Sequence, residues 1–256
     1  KNEIPKDIPE SEIFGKKILG VSSDFLFVHW RLPRLARQDK IDLLFCPSYQ
    51  QPIFYSGKTA LTIHDIIYQA HPEWHNWHSF LEKNIFQFIF RRSAKKASVI
   101  FVPSNFTKQE IIKYYEINEQ KIKVTPYAVD DDFRVLEKNA DFQKRLSAIK
   151  KKYKVGERYI LYLGNIFERR FLPKIISAFV ELKEPDLQFF IVGRDCTKRN
   201  IDAFIEQVNR QIGEGAIKRI DYIDEQDLVW VYNGALAFIW LSSYEGFGFP
   251  PLEAMA

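Results

Sequence analysis

Short apolar runs alternate with amphipathic stretches along the second half of the chain. From Tyr159 onward, segments with a helical period, such as LPKIISAFVELK and NIDAFIEQVNRQI, separate the apolar runs YILYL, LQFFIV, IKRIDYI and LAFIWLS. Strands that are buried on both faces are continuously apolar, and helices between such strands are typical of parallel sheets. The pattern therefore predicts an α/β domain built from stacked βαβ units.

The first half repeats this alternation less regularly. Helical stretches such as SFLEKNIFQFIFRRSAKKA separate four predicted strands, which are Ile41 to Ser48, Thr59 to Asp65, Ser98 to Ser104 and Lys121 to Tyr127. The same reasoning predicts a second parallel sheet, and so two Rossmann-like halves.

The alternation lapses between Ala128 and Arg158, where acidic residues precede a basic amphipathic stretch. Few contacts are expected to cross such a segment, which is typical of a domain boundary. We place the boundary near Leu136, which gives domains of residues 1–135 and 136–256.

Composition sets broad limits on function. The chain has 256 residues, 46% of them hydrophobic, and a formal net charge of +4. Such a mild positive charge suits phosphate-bearing ligands or an acidic surface, and it disfavours nucleic acid as a partner. The sequence has no membrane-spanning apolar run and no secretion signal, and Cys46 and Cys196 are too far apart for a zinc motif. We therefore expect a cytoplasmic protein that binds no metal.

Ligands of open parallel sheets lie beyond the carboxyl ends of the strands, and this rule selects two loops. The first is GNIFERRF, in which Gly164 allows a tight exit from the strand and Arg169 and Arg170 supply two cations for a diphosphate. Alternatively, the paired arginines cover a solvated helix start. Cations there are unfavourable by roughly 0.3–1 kcal/mol, which hints at a purpose for the pair.

The second loop follows the predicted buried strand LAFIWLSS. Glu245 comes directly after this strand, glycines free the backbone, and Pro250 or Pro251 suits the first turn of a helix that carries Glu253. The two carboxylates and the amides between them suit a hydroxyl-rich anion such as a sugar phosphate. For Glu253 there is a competing interpretation, because a glutamate in a first helical turn complements the helix dipole without any ligand.

These motifs resemble those of one enzyme family. The run DEQDLVWVYNGALAFIWLSSYEGFGFPPLEAMA resembles the retaining GT-B nucleotide-sugar glycosyltransferases of group 1, which have a Glu, seven residues, Glu signature. Among them, it is most similar to the mannosyltransferase-like members. The segment RYILYLGNIFERRFLPKIISAFVEL resembles the family's diphosphate-binding strand and helix. VPSNFTKQEIIKYYEINEQKIKVTPYAVDDDFR resembles the end of its first domain, and LTIHDIIYQAHPEWHN resembles its acceptor-side loop.

The resemblance implies a GT-B fold, in which two Rossmann-like domains face a cleft, with the acceptor held by the first domain and the donor by the second. It implies a retaining hexosyltransferase that needs neither metal nor cofactor. The favoured reaction is transfer of mannose from GDP-mannose to a polysaccharide or to a lipid-linked oligosaccharide.

The resemblance also implies roles for particular residues. Glu245 would contact the donor sugar, Glu253 the ribose, and Arg169 and Arg170 the diphosphate. His64 would lie near the transferred sugar. The implied catalytic residues are His64, Glu245, Arg169 and Arg170. The other implied donor-binding positions are Gly164, the amides of Phe247, Gly248 and Phe249, and Tyr222 and Ile223 near the base.

Four of the five histidines lie between positions 64 and 78, and they differ in what their positions suggest. His64 ends a predicted strand, which favours a role at the site over simple packing beside Asp65. By contrast, Pro72 interrupts the segment of His71, His75 and His78, so we interpret this segment as a loop rather than a metal site.

Three departures from the family pattern support alternatives. Arg170 stands where the family usually has lysine, and Phe171 where it has a small or amide residue. The family's proteins begin with a strand and a glycine-rich loop, and they continue with further strand and helix units after the second glutamate. The sequence shows neither feature, which predicts a truncated chain with an incomplete second domain. The main alternative is a degenerate, non-catalytic binding or scaffold subunit. A dinucleotide-dependent oxidoreductase is disfavoured because GNIFER and GRDCTK lack the G-x-G-x-x-G spacing.

One helical stretch bears on membrane contact. KNIFQFIFRRSAKKA sets Phe and Ile beside Arg and Lys. It predicts either peripheral contact with the inner face of a membrane or a core face with a solvated basic edge.

Overall fold

The computed structural model describes Gly15 and residues 24–75 and 77–256. The expectation that the chain lacks the family's opening strand rests mainly on residues 1–14 and 16–23, which lie outside the described residues. The described residues form two compact units. The first contains residues 24–70 and 77–125, and the second contains residues 71–75 and 126–256.

The first unit contains a parallel sheet in the order β1-β2-β3-β4. Each strand lies inside one of the four predicted segments, or within one residue of it, so the predicted strands are confirmed: β1 (Leu43–Cys46), β2 (Lys58–Thr62), β3 (Val99–Val102) and β4 (Ile122–Val124). The accompanying helical segments are α1 (Asp24–Leu26), a π-helical turn (Phe27–Arg31), α2 (Leu32–Gln38), α3 (Ile67–Ala70), α4 (Phe80–Lys96), α5 (Asn105–Tyr115) and a 3₁₀ turn (Glu119–Lys121).

Serine caps start both long helices of this unit. The Ser79 Oγ accepts a hydrogen bond from the Glu82 amide at 3.0 Å, and the Ser104 Oγ accepts one from the Thr107 amide at 3.1 Å. Each cap satisfies an amide that the helix leaves without a partner. The helices then pack on fully buried sheet residues such as Ile100.

The second unit contains a parallel sheet in the order β7-β6-β5-β8. Its strands are β5 (Arg158–Leu163), β6 (Leu187–Val192), β7 (Ile217–Ile220) and β8 (Ala237–Phe238). Its helical segments are two 3₁₀ turns (Pro72–Trp74 and Glu168–Arg170), α6 (Ala140–Tyr153), α7 (Leu172–Leu182), α8 (Ile201–Ile212), α9 (Glu225–Gly234) and α10 (Phe249–Met255).

The second sheet is covered on both faces. Tyr162 packs with residues of α7 and α8, whereas Leu161 packs on the opposite face with residues of α6 and α9. Neighbouring residues of a strand point to opposite faces, which explains why the strand is apolar from Tyr159 to Leu163. The prediction of two Rossmann-like parallel sheets is therefore confirmed.

The segment that connects β4 to β5 along the chain packs on the second unit. The Leu136 amide donates to the Asn233 Oδ1 at 2.8 Å, and the Asn233 Nδ2 donates to the Arg134 carbonyl at 3.0 Å. The division between compact units thus falls at Thr125, ahead of the predicted boundary near Leu136. The domain limits 1–135 and 136–256 stay a prediction.

A buried carboxylate joins α6 to α9. Asp227 is 2% exposed. Its carboxylate accepts hydrogen bonds from the Lys152 Nζ at 2.7 Å and the Tyr153 Oη at 2.9 Å. Burial raises the pKa of Asp227, but these hydrogen bonds outweigh burial, so the pKa lies below its usual value. The ionised form therefore stabilises the folded unit.

We expect Asp227→Asn to lower the free energy of unfolding by about 2 kcal/mol at neutral pH, because a buried charge-assisted contact is lost. The pKa of Asp227 is lower in the folded state, so the stabilisation is complete above the unfolded pKa and disappears as pH falls through the folded pKa. Urea unfolding at several pH values should show the difference from wild type shrinking in acid. Asp224→Asn is the control, since Asp224 also binds Lys152 but is about half exposed; an equal loss there would contradict the prediction.

Candidate functional site

The strand order of the second sheet creates a switch point between β5 and β8. β5 pairs with β6 on one side and with β8 on the other, and all of these pairs are parallel. The chain therefore leaves β5 and β8 at the same edge, and in such sheets ligands bind in the crevice outside that point. The two loops selected from the sequence are the ones that follow β5 and β8.

Gly164 ends β5 in a conformation that suits glycine. Its φ is +136°, and a Cβ at this position would lie 2.9 Å from the Trp240 ring and 3.1 Å from the Arg170 Nη1. A Cβ on Gly193, which follows β6, would overlap the Gly164 carbonyl oxygen. The two strand exits thus approach closely, as the sequence predicts for Gly164.

We expect Gly164→Ala to lower the free energy of unfolding by about 2–4 kcal/mol, because it combines backbone strain with a clash against Trp240. Gly213→Ala is a matched control: Gly213 also has a positive φ, of +127°, but a Cβ added there would meet no atom within 4 Å. It should cost only about 1 kcal/mol of strain. Equal losses in urea unfolding would show that crowding at Gly164 contributes nothing.

Arg170 is buried and paired with Glu245. It is 9% exposed, its Nε donates to the Glu245 Oε1 at 2.8 Å, and its Nη1 donates to the Asn165 carbonyl at 2.6 Å. The guanidinium lies 4.2 Å from the centroid of the Trp240 ring. The Ser242 hydroxyl also donates to the Glu245 Oε1, at 3.0 Å. A cation and a carboxylate are thus held at fixed positions at the switch point.

Arg169 joins the same two loops through main-chain groups. Its Nε donates to the Tyr244 carbonyl at 3.2 Å, and its own carbonyl accepts from the Ser243 amide at 3.0 Å. Arg169 and Arg170 lie in the 3₁₀ turn, and α7 begins only at Leu172. The alternative of a solvated helix start is therefore wrong for Arg170.

Glu253 belongs to a second group of contacts. α10 begins at Phe249, so Pro250 and Pro251 lie in its first turn, as predicted, but Glu253 lies beyond that turn. The predicted first-turn position of Glu253 is wrong, because the helix starts earlier, directly after Gly248. This correction removes the helix-dipole interpretation.

Tyr232 fixes the Glu253 carboxylate. Its hydroxyl donates to the Glu253 Oε2 at 2.7 Å. Burial, and then this hydrogen bond, raise the pKa of Tyr232 far above its usual value. The phenol therefore remains a donor, and it orients one carboxylate oxygen.

Aromatic contacts hold the loop before α10. The Tyr127 ring stacks on the Phe249 ring with centroids 5.3 Å apart, and it makes an edge contact with Phe247 at 5.2 Å. Gly248, between the two phenylalanines, has a φ of 101°. That the amides of these three residues face a sugar and phosphates stays a prediction.

A cavity of about 790 Å³ adjoins the predicted base position. Tyr222 is 69% exposed at this cavity, whereas the Ile223 side chain is buried in the core. The other lining residues come from the inter-sheet segment and from α9 and the residue before it: Asp130, Asp132, Phe133, Arg134, Leu136, Asp224, Glu225, Gln226, Val229 and Trp230.

In the first unit, His64 lies just past the carboxyl end of β2, as predicted. Its ring makes an edge contact with Tyr49 at 5.4 Å, and its carbonyl accepts from the Thr107 hydroxyl at 3.4 Å. The Asp65 carboxylate accepts from the Ile67 amide at 2.9 Å and from the Tyr49 hydroxyl at 3.3 Å. The catalytic role of His64 stays a prediction.

The other histidines of the predicted loop have local partners. His71 stacks on Trp74 at 3.8 Å, in the segment that groups with the second unit, and the His78 amide donates to Glu82 at 2.7 Å. Within the described ranges, no group of three or more His, Cys, Asp or Glu side chains is placed to hold a metal ion.

Sequence reasoning missed three side chains of the site. Trp240 lies under Arg170, Ser242 binds Glu245, and Tyr232 binds Glu253. Trp240 follows Phe238 at the two-residue spacing of a strand face, and the two rings stack. That spacing was the available signal, but it also fits an ordinary core residue.

Two glycosyltransferase family models match the chain. The model described as Glycosyltransferase Family 4 matches residues 9–133, and the model described as Glycosyl transferases group 1 matches residues 143–256. Together they cover nearly the whole chain. The chain belongs to the glycosyltransferases, and its second half to group 1. The residues that the second model matches include the switch-point loops with Glu245 and Glu253.

Curated relatives of this glycosyltransferase are named mannosyltransferases. The chain is 27% identical over 239 residues to the O-antigen chain mannosyltransferase B of Escherichia coli, and 24% identical over 233 residues to the O-antigen chain mannosyltransferase RfbU of Salmonella typhimurium. Each match covers 91% of the chain but only 59% of the relative. The chain thus spans less than two thirds of these relatives.

Solved structures confirm the GT-B fold of this glycosyltransferase. The Anabaena protein Alr3699/HepE, crystallised in complex with UDP-glucose, superposes with a TM-score of 0.65 at 14% identity. The superposition covers 88% of this chain and 59% of the Anabaena protein. At this identity the match describes the fold only.

Proposed function

We propose that the protein is a retaining, nucleotide-sugar-dependent hexosyltransferase of polysaccharide synthesis. The observation that carries this proposal is the buried Arg170–Glu245 pair at the β5/β8 switch point, with Arg169 beside it. The names of the O-antigen relatives support mannose, and hence GDP-mannose as the favoured donor. The proposed acceptor is a polysaccharide or a lipid-linked oligosaccharide.

Charge development explains why such a site would accelerate transfer. Breaking the bond from the anomeric carbon to phosphate leaves positive charge on the sugar and additional negative charge on the diphosphate. Arg169 and Arg170 would stabilise the diphosphate, and Glu245 would hold the sugar end. Their positions are fixed before reaction, so they stabilise the transition state more than the ground state.

Retention follows if the acceptor approaches on the face that the diphosphate leaves. The departing phosphate oxygen would then take the acceptor proton, and the acceptor oxygen would form the new bond to the anomeric carbon. The arginines neutralise the leaving group in this scheme, so we propose that the reaction needs no metal. His64, past the carboxyl end of β2, is proposed to lie close to the transferred sugar.

The second group of contacts would hold the nucleoside. Tyr232 orients the Glu253 Oε2, which leaves the Oε1 for a ribose hydroxyl. Because the Ile223 side chain is in the core, only its main chain is available to the base, while Tyr222 is exposed at the adjoining cavity.

Cys46 and Cys196 are free thiols, which supports a reducing, cytoplasmic location.

One observation favours the non-catalytic alternative. Arg170 and Glu245 neutralise each other, so a donor must compete with an ion pair that is largely shielded from water. A scaffold subunit would retain this pair simply for stability. Nucleotide binding and turnover distinguish the two functions.

The function is tested by incubating the protein with GDP-mannose and an O-polysaccharide acceptor in the presence of EDTA. We expect GDP release that depends on acceptor, and a mannosyl product with the anomeric configuration of the donor by NMR. UDP-glucose is the matched donor control and should react more slowly. Absence of turnover by a folded chain that still binds GDP would favour the scaffold alternative, and an inverted product would contradict retention.

A further inference from the structure

The loop between β7 and α9, residues 221–224, borders the cavity of about 790 Å³. Tyr222 and Asp224 line this cavity together with Glu225, the first residue of α9, while the Ile223 side chain is buried in the core. A ligand at this loop therefore meets the main chain of Ile223 rather than its side chain. How well such a ligand is held depends on how firmly this main chain is fixed.

A tyrosine of α6 is hydrogen-bonded to the β7–α9 loop. The Tyr153 hydroxyl accepts a hydrogen bond from the Asp224 amide at 3.1 Å, and it donates one to the Asp227 carboxylate at 2.9 Å. Asp224 directly precedes α9, so its amide lies at a helix start, where amides have no partner within the helix. Tyr153 supplies that partner from a residue 71 positions away in the sequence.

Ionised Asp227 fixes the direction of the Tyr153 hydroxyl. Burial raises the pKa of Tyr153, so the phenol keeps its proton, while the pKa of Asp227 lies below its usual value. A phenol has a single proton to donate, and here the Asp227 carboxylate accepts it. The phenol oxygen is therefore left to accept from the Asp224 amide, and the two hydrogen bonds support each other.

The same contact fixes the orientation of one peptide group of the loop. Ile223 and Asp224 share a planar trans peptide bond, so the Ile223 carbonyl points in the direction opposite to the Asp224 N–H. Because the N–H points to Tyr153 on α6, the carbonyl points away from α6. Rotating this peptide group would move both ends together and would break the Tyr153 hydrogen bond. A hydroxyl on α6 thus determines which main-chain group the loop presents on its other side.

A second tyrosine binds α9 further along the helix. The Tyr159 hydroxyl donates to the Val231 carbonyl at 2.7 Å, and both residues are buried. Val231 lies about 10 Å beyond Asp224 along the helix axis. The two tyrosine hydroxyls thus make similar hydrogen bonds to the same helical segment, one at the β7–α9 loop and one far from it.

We propose that Tyr153 is a positioning residue for nucleoside recognition: its hydroxyl fixes the peptide group between Ile223 and Asp224, against which the base of the donor lies. Tyr153 acts through the loop rather than by touching the donor. This inference rests on the proposed function, because it takes the cavity beside Tyr222 as the place of the base.

The competing interpretation is that Tyr153 only stabilises the contact of α6 with α9. The two interpretations differ in what happens to binding. A loop that is already fixed loses little conformational freedom when a ligand binds. Without the Tyr153 hydroxyl, the peptide group must be ordered by the base itself. The cost should therefore appear in the affinity for a nucleotide and not in the affinity for a diphosphate that lacks a base.

The test compares Tyr153→Phe with Tyr159→Phe by calorimetric titration with GDP, and by displacement of GDP with inorganic pyrophosphate. Tyr153→Phe should weaken GDP binding about fivefold, because one hydrogen bond that orders the loop is lost, and it should leave pyrophosphate affinity unchanged. Tyr159→Phe should bind both ligands as wild type does. Urea unfolding should show that both variants are folded and less stable than wild type, so that lost stability alone does not explain the difference in binding.

The outcomes separate this inference from the proposed function. If wild type binds neither GDP nor pyrophosphate, the donor site is contradicted and the role of Tyr153 is overturned with it. If wild type binds GDP and Tyr153→Phe binds it equally well, only the role of Tyr153 is overturned. The role is also overturned if Tyr153→Phe weakens GDP and pyrophosphate equally, or if Tyr159→Phe weakens GDP as much, since either result indicates a general loosening of the unit.

Discussion

Replacing Arg170 with alanine should weaken GDP binding about a hundredfold, because charge-assisted hydrogen bonds to a diphosphate contribute about 1.5–3 kcal/mol each. The guanidinium is already held by Glu245, the Asn165 carbonyl and the Trp240 ring. Little ordering entropy therefore remains to be lost when phosphate binds. The effect is measured by calorimetric titration of each variant with GDP.

Two further variants make this result specific. Arg199→Ala removes an arginine that is 72% exposed in the same unit, and it should bind GDP as wild type does. Arg170→Lys keeps the charge but loses the planar fork and the stacking on Trp240, so its affinity should lie between those of wild type and the alanine variant. A folded Arg170→Ala protein with wild-type affinity would remove Arg170 from the donor site.

Replacing Glu245 with glutamine should reduce sugar transfer by about a hundredfold or more without weakening GDP binding, because the diphosphate then no longer competes with the carboxylate for Arg170. Glutamine preserves the size of the side chain and an acceptor for Ser242, but removes the charge that we propose faces the sugar. GDP lacks the sugar, so its affinity reports only on the diphosphate and nucleoside contacts. The two quantities are measured as turnover of GDP-mannose and as calorimetric affinity for GDP.

Glu168→Gln is the matched control for Glu245. Glu168 precedes the arginines, and its side chain is 43% exposed. It should leave both turnover and GDP affinity close to wild type. A different result would contradict this role: Glu245→Gln could weaken the binding of GDP and of GDP-mannose equally and leave the turnover of bound donor unchanged. Glu245 would then have a structural role in holding Arg170 rather than a role at the sugar.

The sheets could be predicted because burial on both faces leaves a continuous apolar signal in sequence. LQFFIV became β6 with almost every residue buried. The strand predicted at LAFIWLSS is shorter than expected, since only Ala237 and Phe238 pair as β8. The residues after Phe238 lead into the loop of the site. A strand at the edge of the described sheet needs fewer paired residues, and apolar content alone does not reveal where pairing ends.

The contacts of the site could not be predicted, because they join residues that are distant in sequence. Arg170 and Glu245 are separated by 75 positions, and their direct pairing depends on β5 and β8 being neighbours in the sheet. The start of α10 was misplaced for a local reason. Two prolines suit several positions in a first turn, so they left the helical position of Glu253 uncertain by a few residues.

The central claim is that the arginines and glutamates at the β5/β8 switch point form a nucleoside diphosphate site. The most direct test is calorimetric titration of the unmodified protein with GDP, UDP and ADP in the presence of EDTA. We predict that GDP binds with one-to-one stoichiometry and more tightly than UDP or ADP. If a folded sample binds none of the three nucleotides, the site is not a donor site and the proposed transferase function is contradicted.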